Sequence, residues 1–138
     1  LISDLMPLSA KSVDILACYS VIEHLHDPSN LLTEAKRVLK PDGYFFIETP
    51  NWQYSHKSFY DDYTHVKPYT TTSLKSVLCD FGFDVVKLMP NVRCKSRLYY
   101  DSKYRFRIAR YLPFRGYGGP LSVFKGRSTG IFCLAKNS

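Results

Sequence analysis

The stretch that decides the fold is SVDILACYSVIEHLHDPSNLLTEAKRVLKPDGYFFIETP, residues 12–50. Its first part, residues 12–22, is a nearly continuous apolar and β-branched run, typical of a strand covered on both faces in a parallel sheet. Residues 27–43 place apolar side chains at helical spacing, with Asp27 or Ser29 able to begin the helix and KPDG able to end it. A second apolar run, residues 43–50, follows. The pattern predicts a strand–helix–strand unit of an α/β fold.

Three further elements are predicted downstream. Residues 70–83, TTTSLKSVLCDFGF, have a Thr/Ser-rich start, an apolar face and a glycine stop, which together predict a second helix. DVVKLMPNV (residues 84–92) and STGIFCLAKN (residues 128–137) predict two more strands. We therefore expect one domain over residues 1–138, with a mixed sheet of about four strands flanked by helices. Residues 93–127 form a basic, aromatic insertion or cap between the last two strands.

Composition excludes several classes of protein. The chain has 138 residues, enough for one ordinary domain, and 45% of them are hydrophobic, which is typical of a globular protein. No apolar run approaches the roughly 20 residues that span a bilayer. The four cysteines are scattered without CxxC spacing, which predicts reduced thiols in a cytoplasmic protein, with Cys79 and Cys133 in the core.

The basic charge is concentrated in one late segment. The formal net charge is +7, and nine basic residues lie between Lys87 and Arg127, opposed only by Asp101. This segment permits three interpretations: a solvated face of a cap, a cradle for an anionic acceptor such as RNA, a phospholipid head or a nucleotide-linked sugar, or a membrane-surface helix in YRFRIARYL.

Four ionisable residues follow the first strand: Glu23, His24, His26 and Asp27. A solvated strand tail is the simplest explanation. Ligands of open α/β sheets, however, bind outside the carboxyl ends of parallel strands, and this tail lies at such an end. We interpret His26 and His56 as surface residues and keep Glu23 and His24 as candidates for a site.

Several phrases together resemble the C-terminal half of the class I S-adenosylmethionine-dependent methyltransferases. They are DLMPLSAKSVDIL, YSVIEHLHDPSNLLTEAKRVLKPDGYFFIETPN with its RVLKPDG turn, and YTHVKPYTTTSLKSVLCDFGFDVV. The resemblance implies a Rossmann-like half-domain containing strands four to seven, the seventh antiparallel between five and six. The family's glycine-rich loop is absent, since no GxGxG occurs in the sequence. We therefore expect a piece of something longer, which alone binds the cofactor weakly and is inactive.

The resemblance also implies roles for individual residues around S-adenosylmethionine. Asp4 would accept a hydrogen bond from the adenine amino group, with the Leu5 backbone N–H at the ring edge, although Asp4 can equally be a solvated loop residue. The methionine part of the cofactor would face the strand tail, Cys18, Tyr19 and Ser20. The acceptor substrate would be bound by residues after the second strand, Asn51, Trp52 and Tyr60, together with His65.

A divalent metal ion is implied by one subset of the family. In small-RNA 2′-O-methyltransferases and ubiquinone-pathway O-methyltransferases, an E-x-x-E-H phrase and a later histidine bind a cation. Here the phrase is SVIEH, so that Ser20 replaces the first glutamate and Glu23, His24 and His65 remain. This set suits Mn²⁺ or Zn²⁺ better than Mg²⁺, which prefers oxygen. The alternatives are a catalytic pair, with His24 as orienter or general base beside Glu23, and a polar histidine with a purely structural role.

Two classes of function remain open at this point. The first is methyl transfer from S-adenosylmethionine to a small-molecule or anionic acceptor. The second is a non-catalytic basic module that binds nucleic acid, a membrane surface or a protein partner. For either class, the strand at residues 13–21 would have one unpaired edge, which predicts a homo-oligomer, most simply a two-fold antiparallel dimer.

Overall fold

The computed structural model of the chain describes residues 7–92 and 128–138. The strands and helices within these ranges are β1 (Val13–Tyr19), α1 (Ser29–Val38), β2 (Leu39–Pro50), α2 (Trp52–Ser55), α3 (Thr71–Asp80), β3 (Phe83–Val92) and β4 (Ser128–Asn137). Two 3₁₀ turns, Ile22–His24 and Phe59–Asp61, lie in the connections. The candidate cofactor residues Asp4 and Leu5, and the basic insertion at residues 93–127, lie outside the described residues.

The four strands form one mixed sheet in the order β1-β2-β4-β3. β1 and β2 are parallel, with Leu16 opposite Phe45 and Cys18 opposite Ile47. β4 is antiparallel to both of its neighbours, β2 and β3. This arrangement confirms the predicted α/β class, and it confirms that the last strand in the chain lies between the two that precede it.

The start of helix α1 agrees with the prediction, but its end does not. The side chain of Asp27 accepts hydrogen bonds from the Ser29 N–H at 3.0 Å and from the Ser29 hydroxyl at 2.6 Å, ahead of the first turn. The helix ends at Val38, and β2 starts directly at Leu39. The prediction that KPDG ends the helix was therefore wrong. These residues lie within β2, where Asp42 has a φ of 65° and the pairing with β1 shifts register.

The C-terminal end of α1 is completed by a distant side chain. The amide nitrogen of Asn137, at the end of β4, donates to the carbonyls of Lys36, Leu39 and Lys40 at 3.1–3.3 Å. Helix ends leave four carbonyls without intrahelical partners, and a buried end needs such donors. Asn137 thereby joins the last strand to the first helix.

Helix α3 follows the predicted signals at both ends. Thr70 and Ser73 form a reciprocal capping box, in which each side chain bonds the other's backbone N–H. Gly82 follows the helix with a φ of 75°, a conformation that a side chain disfavours, and the Lys36 ammonium donates to its carbonyl at 2.8 Å. The predicted second helix is confirmed.

The core lies between the helices and one face of the sheet. Its fully buried side chains include Leu32, Phe45, Leu74, Leu78 and Ile131. The prediction that β1 is covered on both faces was wrong for the described residues, because Ile15 is 67% exposed and Tyr19 60%. Both alternate along β1 with Leu16 and Cys18, which pack with the buried residues of α1 and α3, so they belong to the opposite face of the sheet.

The cysteine prediction was half right. Cys18 and Cys133 are buried free thiols, but Cys79 is exposed, because it lies on the outer side of α3 while Leu74 and Leu78 form the inner side. No helix in the described part of the chain combines the length and apolar character needed to cross a membrane.

Candidate functional site

The polar site lies where the two parallel strands end. Directly after β1, Ser20 has a φ of 50°, which is uncommon for a residue with a side chain. Its N–H donates to the Glu48 carbonyl of β2 at 2.9 Å, so the left-handed turn is held against the neighbouring strand. The 3₁₀ turn Ile22–His24 then directs Glu23 into the protein and leaves His24 half-buried beside it.

Glu23 is the central group of the site. Its side chain is fully buried, and its Oε2 accepts a hydrogen bond from the hydroxyl of Thr49 at 2.9 Å. Its Oε1 is also buried but has no hydrogen-bond partner among the described residues. The backbone carbonyl of Glu23 accepts from the N–H groups of Val66 and Lys67, which joins the later segment to the 3₁₀ turn.

The two histidines are oriented in the same way. Nδ1 of His24 lies 3.0 Å from the Thr64 carbonyl, and Nδ1 of His65 lies 2.7 Å from the Phe59 carbonyl. A carbonyl can only accept, so in the neutral rings each Nδ1 carries the proton and each Nε2 has a free lone pair. The ring centroids are 4.8 Å apart.

The structure brings the three predicted metal ligands together. One ligand atom each from Glu23, His24 and His65 lies within 4.8 Å of the other two. A carboxylate and two imidazoles oriented through Nδ1 are a donor set that Zn²⁺ or Mn²⁺ accepts, and backbone carbonyls that orient the rings in this way are typical of metal-binding histidines. The unpartnered Oε1 of Glu23 is an additional sign that the set is incomplete without a ligand.

An acidic side chain lies at the rim of this cluster. Asp62 Oδ2 is 3.7 Å from Nε2 of His65. The hydroxyl and N–H of Thr64 donate to Asp62 and lower the pKa of its carboxyl group, and the neighbouring histidines His65 and His24 lower it further. Asp62 is therefore an anion at neutral pH and stabilises positive charge at the two imidazoles or at a bound ion.

The aromatic loop after β2 is continuous with the cluster. Phe59 is 2% exposed, and its ring contacts Trp52 at 5.5 Å, Tyr60 at 5.0 Å and His65 at 4.6 Å between centroids. The predicted substrate residues Trp52, Tyr60 and His65 are thus assembled around one buried ring. Tyr60 remains 59% exposed, so its ring is open to a ligand.

Asn51, the fourth predicted substrate residue, has a different environment. It is 1% exposed, its side-chain oxygen accepts from the Gln53 N–H at 3.2 Å to begin α2, and its backbone forms an isolated bridge with Tyr69. In this structure Asn51 holds the loop against β2, and its side chain does not line an open surface.

The predicted cofactor residues in the described range occupy the tail of β1. Tyr19 and Ser20 are exposed, and the Ser20 hydroxyl lies 3.4 Å from the Glu48 carboxylate. Cys18 is buried, and burial, aided by the charge of Glu23, raises the pKa of its thiol to about 11. A ligand at this edge would therefore meet the backbone of Cys18 and not its sulfur.

Two buried residues of the site carried no predicted role. Thr49 holds Glu23, and Tyr69 is 2% exposed with a hydroxyl that has no hydrogen-bond partner among the described residues. Burial is the main cause that raises the pKa of Tyr69, to about 12, and the charges of Glu23 and Asp27 add to it. The sequence offered two signals for these residues. One is the polar residue inside the apolar strand end IETP, and the other is the tyrosine of HVKPYT.

Comparison with known proteins identifies the family. A family model described as “Methyltransferase domain” matches residues 5–88, more than half of the chain. The chain belongs to this family. It is therefore a methyltransferase-domain chain.

The relatives of this methyltransferase-domain chain agree with that assignment. A protein of Mycobacterium tuberculosis named “Probable S-adenosylmethionine-dependent methyltransferase” is 35% identical over 83 residues, covering 56% of this chain and 29% of the relative. A ubiquinone biosynthesis O-methyltransferase of Haemophilus ducreyi is 37% identical over 43 residues, covering 31% of this chain and 18% of the relative. The chain thus spans less than a third of these relatives.

Solved structures show the same fold. A SAM-dependent methyltransferase from Archaeoglobus fulgidus has a TM-score of 0.63 at 25% identity, with 94% of this chain and 61% of that chain covered. A possible histamine N-methyltransferase from Thermotoga maritima has a TM-score of 0.64 at 19% identity, with 99% and 61% covered. These matches support the Rossmann-like half-domain architecture.

Proposed function

We propose that this chain is part of an S-adenosylmethionine-dependent methyltransferase that transfers a methyl group to a small-molecule or anionic acceptor. The observation that carries the proposal is the cluster of Glu23, His24 and His65 at the carboxyl edge of β1 and β2. Ligands of open α/β sheets bind at this edge, and the chain belongs to the methyltransferase-domain family. The named activities of its relatives support the class of reaction.

The cofactor is assigned to the tail of β1. The backbone of Cys18, with exposed Tyr19 and Ser20, would face its methionine part, and the family resemblance assigns the adenine to Asp4 and the Leu5 N–H. S-adenosylmethionine supplies the activated methyl group. The chain's own residues then have to hold the acceptor in line with that group and exclude water, which are the main sources of catalysis in such transfers.

The acceptor is assigned to the aromatic loop. The exposed ring of Tyr60 and the half-buried ring of Trp52 offer apolar contact beside the polar cluster. The basic residues of segment 93–127 favour an acceptor that carries negative charge. We favour an anionic small molecule over a nucleic acid as this acceptor. We place the protein in the cytoplasm, since the cysteines of the described residues are free thiols.

The proposal also includes a divalent metal ion. Oε1 of Glu23 and Nε2 of His24 and His65 are the atoms that would hold a divalent cation, with Thr49 and two backbone carbonyls orienting them. A bound cation would lower the pKa of an acceptor hydroxyl and orient it. Without a cation, His24 is the residue that would orient the acceptor or take its proton.

Metal binding is tested on the full-length protein. Mn²⁺ should raise the melting temperature of the wild type, because a ligand at about 100 times its Kd stabilises the folded state by about 2.7 kcal/mol. The double substitution Glu23→Ala with His65→Ala should abolish that rise. His26→Ala removes an exposed imidazole and should leave the rise intact.

Cofactor binding is tested separately by isothermal titration with S-adenosylmethionine. The same full product should bind it, and the double variant should retain binding, because its substitutions lie in the acceptor half of the site. If divalent ions do not stabilise the protein, the metal site is rejected and the methyltransferase proposal stands. Absence of cofactor binding would reject the methyltransferase proposal.

A further inference from the structure

Two buried polar atoms in the described part of the chain lack a hydrogen-bond partner: Oε1 of Glu23 and the hydroxyl oxygen of Tyr69. Buried polar groups are almost always hydrogen-bonded, and each exception needs an explanation. The hydroxyl of Tyr69 is the more unexpected of the two. A phenylalanine would fill the same space in the core without leaving a polar atom unsatisfied, so the hydroxyl indicates a partner that the described residues do not supply.

The two residues that carry these atoms are joined through other hydrogen bonds at the carboxyl edge of the sheet. The carbonyl of Tyr69 accepts from the Trp52 N–H at 2.8 Å, and its backbone bridges to Asn51, two residues after Thr49. The hydroxyl of Thr49 in turn donates to Glu23, whose carbonyl accepts from Lys67, two residues before Tyr69. Tyr69 and Glu23 are therefore positioned by the same contacts.

The Tyr69 hydroxyl lies within the electrostatic influence of Glu23. The charge of Glu23 is felt at the phenol, and the pKa of Tyr69, raised to about 12 mainly by burial, keeps its proton in place at neutral pH. A phenol can donate one hydrogen bond and accept others, whereas an ionised carboxylate can only accept. A cation bound to Oε1 of Glu23, with a water ligand that accepts from the phenol, would satisfy both atoms.

We propose that Tyr69 is a positioning residue of the metal site, and that its hydroxyl hydrogen-bonds a water ligand of the divalent cation held by Glu23, His24 and His65. This inference rests on the proposed metal. It assigns to Tyr69 an outer role that determines how firmly the ion and its water are held, and partners of this kind typically change metal affinity about 10- to 100-fold.

The test is Tyr69→Phe in the product of the complete reading frame, titrated with Mn²⁺ alone by isothermal calorimetry. We expect Mn²⁺ binding about 10-fold weaker than in the wild type. The melting temperature of the metal-free variant should stay the same or rise, because an unsatisfied buried hydroxyl has been removed. Tyr44→Phe removes a hydroxyl from a more exposed ring of β2 and should change neither quantity.

Each other outcome is decisive. Unchanged Mn²⁺ affinity in Tyr69→Phe, with binding lost in Glu23→Ala, overturns the role of Tyr69 and leaves the metal site. Absence of Mn²⁺ binding in the wild type overturns both. If the metal-free variant is destabilised as well, the water-proton relaxation rate of the Mn²⁺-saturated protein decides. An altered rate supports the water contact, and a rate equal to that of the wild type overturns it.

Discussion

The carboxylate of Glu23 is the residue on which the site depends most. It is fully buried, and the hydrogen bond from Thr49 is what holds one of its oxygens. Bonds to charged groups are worth more than neutral ones, and a buried acceptor that loses its donor incurs the full desolvation cost. Thr49 therefore acts on both stability and geometry.

We predict that Thr49→Val destabilises the protein by about 1–3 kcal/mol, because the isosteric side chain leaves Oε2 of Glu23 without its donor. Thr49→Ser keeps a hydroxyl at the same place and should recover part of the loss. Urea unfolding monitored by circular dichroism measures both. Equal stability of the valine variant and the wild type would show that the bond contributes nothing.

The sequence could predict the three candidate metal ligands of the site but not the residues that hold or surround them. Glu23 and His24 were recognisable because ionisable groups directly after an apolar strand stand out, and His65 because the family resemblance implies a later histidine. The contributions of Thr49 and Tyr69 could not be derived, because each depends on which way a side chain in an apolar neighbourhood points. That direction is set by the pairing of Asn51 with Tyr69 and by the 3₁₀ turn, which no periodic pattern announces.

At the level of elements, helix α3 shows the closest agreement between local signal and structure. Its capping box satisfies two backbone N–H groups at the start of the helix, and Gly82 provides the left-handed residue after its end. Helix α1 differs, because the carbonyl of Lys36 in its last turn and those of Leu39 and Lys40 just after it accept from Asn137, 97 to 101 residues away. Local signals therefore predicted the ends of α3 and mispredicted the end of α1.

We predict that Thr70→Ala lowers the free energy of unfolding by about 1 kcal/mol, the usual cost of losing an N-cap hydroxyl. Thr70→Ser preserves the cap oxygen and should remain close to the wild type. Thermal melts of the three proteins at equal concentration provide the measurement. An alanine variant that melts at the wild-type temperature would mean that tertiary contacts alone fix the start of α3.

At the scale of the whole molecule, the two edge strands of the sheet, β1 and β3, differ in how well they could pair with another molecule. Among the described residues β1 is paired only with β2, and Ile15 and Tyr19 are exposed along it. The opposite edge strand, β3, has an irregular register around Val86 and charged side chains at Asp84 and Lys87, features that discourage pairing between molecules. We propose that β1 is the edge that associates.

We predict that the 138-residue chain is at least a dimer through antiparallel pairing of β1 with β1 of a second copy. Pairing centred on Leu16 would set Ile15 opposite Ala17 of the other copy. Ile15→Lys should shift the chain toward monomer, because a charge on an edge strand opposes pairing. Val86→Lys, on the other edge, should not. Multi-angle light scattering distinguishes the two, and a clean monomer for the wild type would refute the proposal.

The position of β4 has a consequence for synthesis. Residues 128–137 leave the ribosome after every other described strand, yet β4 lies between β2 and β3 and bonds to both. Until then the nascent chain has a parallel strand pair and an unpaired β3, and the Lys36 carbonyl of α1 lacks its Asn137 donor. Chaperones would meet this open intermediate, because unpaired strands exposed during translation are prone to aggregate. A protease that removed these ten residues would separate the sheet into two parts.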